Sequence, residues 1–140
     1  MLYLDTSLLV SALTNEAGTP RAQHWLGGRE PDGLAISDWV VTEFSSALSI
    51  KLRSGKLTET ERGTALSGFT RLVAQSIDVL AVSPQHFRAA ARYADQHHLG
   101  LRAGDALHLA ITVEFGATLY TMDRKLAEAG AALGADTVLL

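Results

Sequence analysis

Apolar residues along this chain fall in short runs, each ended by a polar cluster. Leu2-Tyr3-Leu4 reads as a brief buried strand. The polarity flips at Asp5-Thr6-Ser7, and the next run, Leu8-Leu9-Val10, takes up a helical spacing that fades at Asn15-Glu16-Ala17-Gly18. Thr19-Pro20 has the form of an N-cap followed by a first helical residue, which predicts a short helix through Trp25 closing at Gly27-Gly28. A polar loop over 29–33 leads to a second strand, Leu34-Ala35-Ile36, ended by Ser37 and Asp38. The helix that follows runs to about Arg53. Val41, Phe44, Leu48 and Leu52 lie three or four apart and predict its buried stripe.

Thr58 and Glu61 have capping-box spacing and open a helix reaching about Ala74. Residues 77–82 read as a strand or extended segment. Ser83-Pro84 caps a helix bearing Phe87, Ala90, Ala91 and Ala94, expected to end near Leu99-Gly100. A nearly all-apolar helix then runs from Leu101 to Phe115-Gly116, a pattern that predicts burial on most sides. A strand over 117–121, a short helix from Asp123 to about Gly130 and a last strand over 137–140 complete the chain. Strands alternating with helices predict an α/β fold: a parallel sheet of about four or five strands with helices on both faces. The 140 residues, 47% hydrophobic, suit a single domain over 1–140 with a real core.

Charge and cysteine usage narrow the chemistry. A net charge of −3 does not describe a protein that coats nucleic acid, so any polyanion must be held by a local basic patch or through metal ions. The absence of cysteine excludes disulfides, thiolate catalysis and cysteine-bound zinc. The five histidines are scattered, and no His-Glu-x-x-His pattern occurs. No leader is expected ahead of Leu2 and no apolar run is long enough to span a bilayer, so a cytoplasmic protein with no membrane association is expected.

The candidate chemistry lies in acids that follow apolar segments. Asp5 stands where the first strand ends, at the carboxyl edge of a sheet, where ligands bind in open α/β folds; it equally suits the N-cap of the next helix. Asp123 stands in the same relation to the strand at 117–121. Glu43 sits one turn into the helix after the second strand, at the margin of its apolar face. These three are expected to converge. Asp105 falls in the first turn of the buried helix, where the dipole favours a carboxylate but burial disfavours one without a cation. It follows no strand directly, so pattern alone does not bring it to the others.

Four stretches carry a resemblance: Leu4-Asp5-Thr6-Ser7, Thr42-Glu43-Phe44, Arg102-Ala103-Gly104-Asp105-Ala106-Leu107-His108-Leu109-Ala110, and Leu119-Tyr120-Thr121-Met122-Asp123-Arg124-Lys125-Leu126. In order and spacing the chain resembles the PIN-domain family, specifically the VapC-type ribonuclease toxins of toxin–antitoxin pairs. The resemblance implies a PIN-like three-layer sandwich. It also implies that Asp5, Glu43, Asp105 and Asp123 line one pocket and bind Mg²⁺ or Mn²⁺, which suit oxygen ligands and would keep clustered carboxylates ionised. The implied activity is a metal-dependent endoribonuclease that leaves a 5′-phosphate. The implied partners are an RNA substrate, a small VapB-type antitoxin with a basic segment, and a second copy in a homodimer.

Around the quartet, Thr6, Ser7 and Thr121 suit either support of the acids or ordinary turn roles. Arg102 is the first choice for a phosphate contact, with a surface role as the alternative. His108 shares a helix face with Asp105 and is expected to be a packed, hydrogen-bonded histidine rather than a general base. Trp25 and Trp39 are expected in the core or at an interface. The competing function is a PIN-like RNA-binding or protein-interaction module without catalysis. A phosphatase of the haloacid-dehalogenase type would need a second Asp where Ser7 stands, and a receiver domain would need an acidic pair after the first strand.

Overall fold

Short apolar runs that each end in a polar turn give strands of three or four residues, and the structure bears this out. The computed structural model describes residues 1–30 and 33–140. The middle of the loop expected at 29–33 therefore lies outside the described residues. The elements in order are β1 (Leu2–Leu4), α1 (Thr6–Leu13), α2 (Thr19–Gly27), β2 (Leu34–Ser37), α3 (Asp38–Arg53), α4 (Glu59–Ser76), β3 (Asp78–Leu80), α5 (Pro84–Ala94), α6 (Ala103–Glu114), β4 (Thr118–Thr121), α7 (Arg124–Ala132) and β5 (Thr137–Leu139).

The five strands pair in the order β3-β2-β1-β4-β5, and every pairing is parallel. The α/β class and the parallel sheet are as the alternation predicts. The first strand lies at the centre, with Tyr3 opposite Ala35 on one side and Leu119 on the other. Chain order runs outward from β1 to β3, then returns to place β4 on the far side of β1. The gap between β1 and β4 is thus a topological switch point, where the connections diverge and leave a crevice at the carboxyl edge. Tyr3, Leu4, Ile36 and Leu119 are fully buried, as are Leu8 and Leu9 of α1 and Leu109 and Ile111 of α6. Residues 106 to 112 of α6 are buried without exception, as its apolar sequence predicts.

Several boundaries differ from expectation, each for a local reason. Thr19 is the first residue of α2 and not its cap; its hydroxyl donates instead to the carbonyls of Ser11 (2.7 Å) and Thr14 (3.0 Å), fastening α2 to the end of α1. On α3 the inward position is Val40 and not Val41, which is 39% exposed. With Ser37 as N-cap, the face through Val40, Phe44 and Leu48 points to the core, and Phe44 stacks on Phe69 of α4 at 4.3 Å between ring centroids. The helix expected to end near Leu99-Gly100 stops at Ala94 and is followed by a 3₁₀ turn, His97–Leu99. Gly100 closes that turn at φ +64°, the left-handed region that favours glycine. The Thr58–Glu61 capping box forms as expected. No helix among the described residues is long and apolar enough to cross a membrane.

Close packing also fixes the far edge of the sheet. A Cβ placed on Gly130 of α7 would stand 2.5 Å from Thr137 Cγ2 of β5 and 2.8 Å from Leu109 Cδ2 of α6. Gly130→Ala is therefore expected to destabilise the fold by about 1–3 kcal/mol through overpacking, despite the better helix propensity of alanine. Urea unfolding measures this; a variant as stable as the parent would refute the packing account.

Candidate active site

Asp5 ends β1 and caps α1, and the backbone N–H of Leu8 donates to its Oδ1 at 3.1 Å. The cap reading of this residue holds, and the cap lies at the switch point. Ser7 Oγ donates to Asp5 Oδ1 at 2.8 Å, and Thr121 Oγ1, from the end of β4, donates to Oδ2 at 2.7 Å. The same two hydroxyls accept backbone N–H groups across the turn after β4: Met122 to Ser7 at 3.0 Å and Asp123 to Thr121 at 2.9 Å. Ser7 and Thr121 thus lace the two central strand ends together around one carboxylate. Asp123 is the N-cap of α7, with Oδ1 accepting from Lys125 and Leu126.

Glu43 lies in the second turn of α3, which starts at the carboxyl end of β2. Its Oε2 accepts from Thr6 Oγ1 at 2.6 Å and lies 2.6 Å from His108 Nε2. Asp105 is the third residue of α6, and its Oδ2 accepts the backbone N–H of Arg102 at 3.3 Å. The position of Asp105 follows from the topology. A helix that leads into a parallel strand must begin at the carboxyl edge, so the start of α6 stands beside the ends of β1 and β4. That rule is the signal sequence reasoning left unused.

All four acids line one open cleft of about 740 Å³, together with Thr6, Ser7 and His108. Arg102 is exposed at the N-cap of α6 and does not line the cleft. The arginines that do line it are Arg21 of α2 and Arg124 of α7, neither singled out in the sequence. Arg124 follows Asp123 directly, which is a signal that adjacency could have given. Glu16 lines the cleft further along, where it accepts from Ser11 Oγ at 2.8 Å and pairs with Lys51.

The acids feel one another and their burial. Burial pushes Asp5 above the ordinary carboxylate value, and the His108 imidazole and the Thr121, Ser7 and Leu8 donors offset only part of that. Burial likewise raises Asp105; the Arg102 N–H draws it down, and the neighbouring charges of Asp123 and Glu43 push it further up. Burial opposes ionisation of Glu43 as well, but the hydrogen bond and charge of His108, with Thr6, hold it below its ordinary value.

The donor set is all oxygen and free of sulfur, which fits Mg²⁺ or Mn²⁺, and a dication would relieve the repulsion that raises Asp105. Asp105 Oδ1 and Asp123 Oδ2 have no hydrogen-bond donor among the described residues, so each acid keeps an oxygen for such an ion. As they stand, no three Asp, Glu or His side chains among the described residues form a group that could hold a metal ion. Asp5 and Glu43 are each held by protein donors, Ser7 and Thr121 for the first, Thr6 and His108 for the second.

The PIN domain profile matches residues 2–132. The chain belongs to the PIN domain family. Among solved structures, this PIN domain is similar over its whole length, and over the whole of the other chain, to VapC20 of Mycobacterium tuberculosis, a toxin that cleaves the sarcin–ricin loop (TM-score 0.76, 17% identity). It is also similar to PAE2754 of Pyrobaculum aerophilum (TM-score 0.70, 24% identity, covering 98% of this chain and 83% of the other). A third similar structure is VapBC2 of Rickettsia felis bound to a promoter DNA fragment (TM-score 0.68, 17% identity, covering 99% and 98%). At these identities the likeness establishes the fold. No curated protein sequence matches the chain.

The opposite pKa directions of Asp5 and Glu43 give a test in chelator. A raised carboxyl pKa disfavours the ionised native state, so Asp5 lowers stability as pH rises through and above the carboxylate range; a lowered pKa makes Glu43 contribute stability that is lost as pH falls. Asp5→Asn is therefore expected to gain stability relative to the parent as pH rises from about 3 to 7, and Glu43→Gln to lose it. Denaturant unfolding across that range measures both differences. Parallel curves for the two variants would contradict the assignment.

Proposed function

We propose that this PIN domain is a Mg²⁺- or Mn²⁺-dependent endoribonuclease acting as the toxin of a toxin–antitoxin pair. The observation that carries the reading is the gathering of Asp5, Glu43, Asp105 and Asp123, from four separate elements, along one cleft at the switch point of the sheet. Asp5, Asp105 and Asp123 would hold the ion, with Glu43 completing the set. Bound there, the ion would polarise the scissile phosphodiester and offset negative charge on the leaving 3′-oxygen.

The protein's own groups supply the rest. Ser7 and Thr121 orient Asp5, so that the central carboxylate presents a fixed edge to the cleft. Arg21 and Arg124 line the cleft beside the acids, where a guanidinium can bind a backbone phosphate through two hydrogen bonds. They counter the repulsion that an acidic cleft would exert on RNA. The Rickettsia felis structure is of VapBC2 bound to a DNA fragment from its promoter; by analogy this chain would have a small antitoxin partner whose basic residue occupies the same cleft, and would form a homodimer.

The hydrogen bonds that already engage Asp5 and Glu43 favour one other reading, a PIN module that binds RNA or a protein without cutting. A cleavage assay on structured RNA separates the two. Asp105→Asn keeps the acceptor that caps α6 and removes the charge; it is expected to lower kcat by at least about a hundredfold with little change in melting temperature. RNA binding without cleavage by the parent chain, across Mg²⁺ and Mn²⁺, would support the non-catalytic module instead.

A further inference from the structure

Asp105 and His108 stand three residues apart on α6 and so share a face. His108 is 2% exposed, and both ring nitrogens are engaged. Nε2 lies 2.6 Å from Glu43 Oε2 on α3, and Nδ1 lies 3.0 Å from the Tyr3 hydroxyl on β1. That hydroxyl is in turn 2.7 Å from Ser37 Oγ at the end of β2. An ionised carboxylate only accepts, so the proton of this tie must sit on Nε2. The nuclease assignment above gives this buried chain of Ser37, Tyr3, His108 and Glu43 no task.

We infer that His108, backed by Tyr3, is a positioning residue that fixes Glu43 for a divalent cation by tying α3 to the helix that carries Asp105. The inference rests on the metal-dependent reading of the cleft. A glutamate has three rotatable bonds, and the charge of Asp105 repels this one; left alone it would swing towards solvent. His108 and Thr6 both hold Oε2. The other oxygen lies against Gly104, where a Cβ would stand 2.6 Å from Oε1. The carboxylate is therefore held on one side by two donors and admitted on the other by a missing side chain.

Tyr3 completes the device. Its hydroxyl is fully buried between Ser37 Oγ at 2.7 Å and His108 Nδ1 at 3.0 Å, and so keeps Nδ1 satisfied. A ring fixed at Nδ1 has its Nε2–H aimed in one direction, the arrangement by which outer groups orient metal-binding side chains.

Calorimetric titration of Mn²⁺ into the purified chain tests this directly. His108→Leu is expected to weaken Mn²⁺ binding on the order of tenfold or more. His108→Gln, whose amide N–H can replace Nε2–H, should stay within about threefold of the parent, and Tyr3→Phe should show a smaller loss than His108→Leu. RNA turnover should recover in His108→Leu at saturating Mn²⁺, a split that a purely structural defect would not produce. A folded His108→Leu with unchanged Mn²⁺ affinity overturns the inference, as does a His108→Gln variant no better than His108→Leu. Should His108→Leu fail to fold, parental affinity in Tyr3→Phe overturns it. Nitrogen-15 spectra of the metal-free chain provide a readout without metal: a proton on Nε2 supports the tie, and one confined to Nδ1 refutes it. A parent chain that binds no Mn²⁺ and cuts no RNA counts against the nuclease reading, separately from the imidazole contact.

Discussion

A carboxylate buried between the two central strand ends is the constraint around which this molecule is arranged. Asp5 is 3% exposed, and burial of an ionised acid is expensive unless donors surround it. The fold answers with Leu8 N–H from the helix start, Ser7 from the same turn and Thr121 from across the switch point. Because Thr121 belongs to β4, this solvation joins residues far apart in sequence and pins the β1–β4 pairing at the edge where the cleft opens. The remaining acids stand around this anchor, each at the start or in the first turns of a helix that begins on the same side of the sheet.

The arrangement is under electrostatic strain by construction. Asp5 and Asp105 both sit above their ordinary pKa, and the Glu43–His108 contact is what brings one member of the group the other way. Proteins commonly hold such strain where function requires it and offset it elsewhere. Here the offset is visible in the continuous burial of α6 from 106 to 112 and in the fully buried central strands.

Much of this was legible in the chain itself. The strand ends at Asp5 and Asp123 show as abrupt changes of polarity, and the capping box at Thr58 is written in two residues. Parallel strand order then implies a shared edge. What the residues did not disclose is the order in which the strands lie, since nothing local says that β4 returns to the side of β1 away from β2. The convergence of Asp105 and the placing of Arg21 depend on that order. Arg102 illustrates the limit: its neighbourhood in sequence suggested the cleft, but it stands exposed at the N-cap of α6 and is not among the residues that line the site. The inward place of Val40 over Val41 turned on one residue of helix phase, which a stripe counted by spacing does not resolve.

Placing the first strand in the middle of the sheet has a bearing on biosynthesis. β1 is made before its neighbours but gains the second of them only when β4 has been made, and Asp123 follows β4. A nascent polypeptide therefore displays the acids as unconnected pieces until Asp123 has been made. The cell meets the assembled cleft only after β4 and the turn that follows it have emerged.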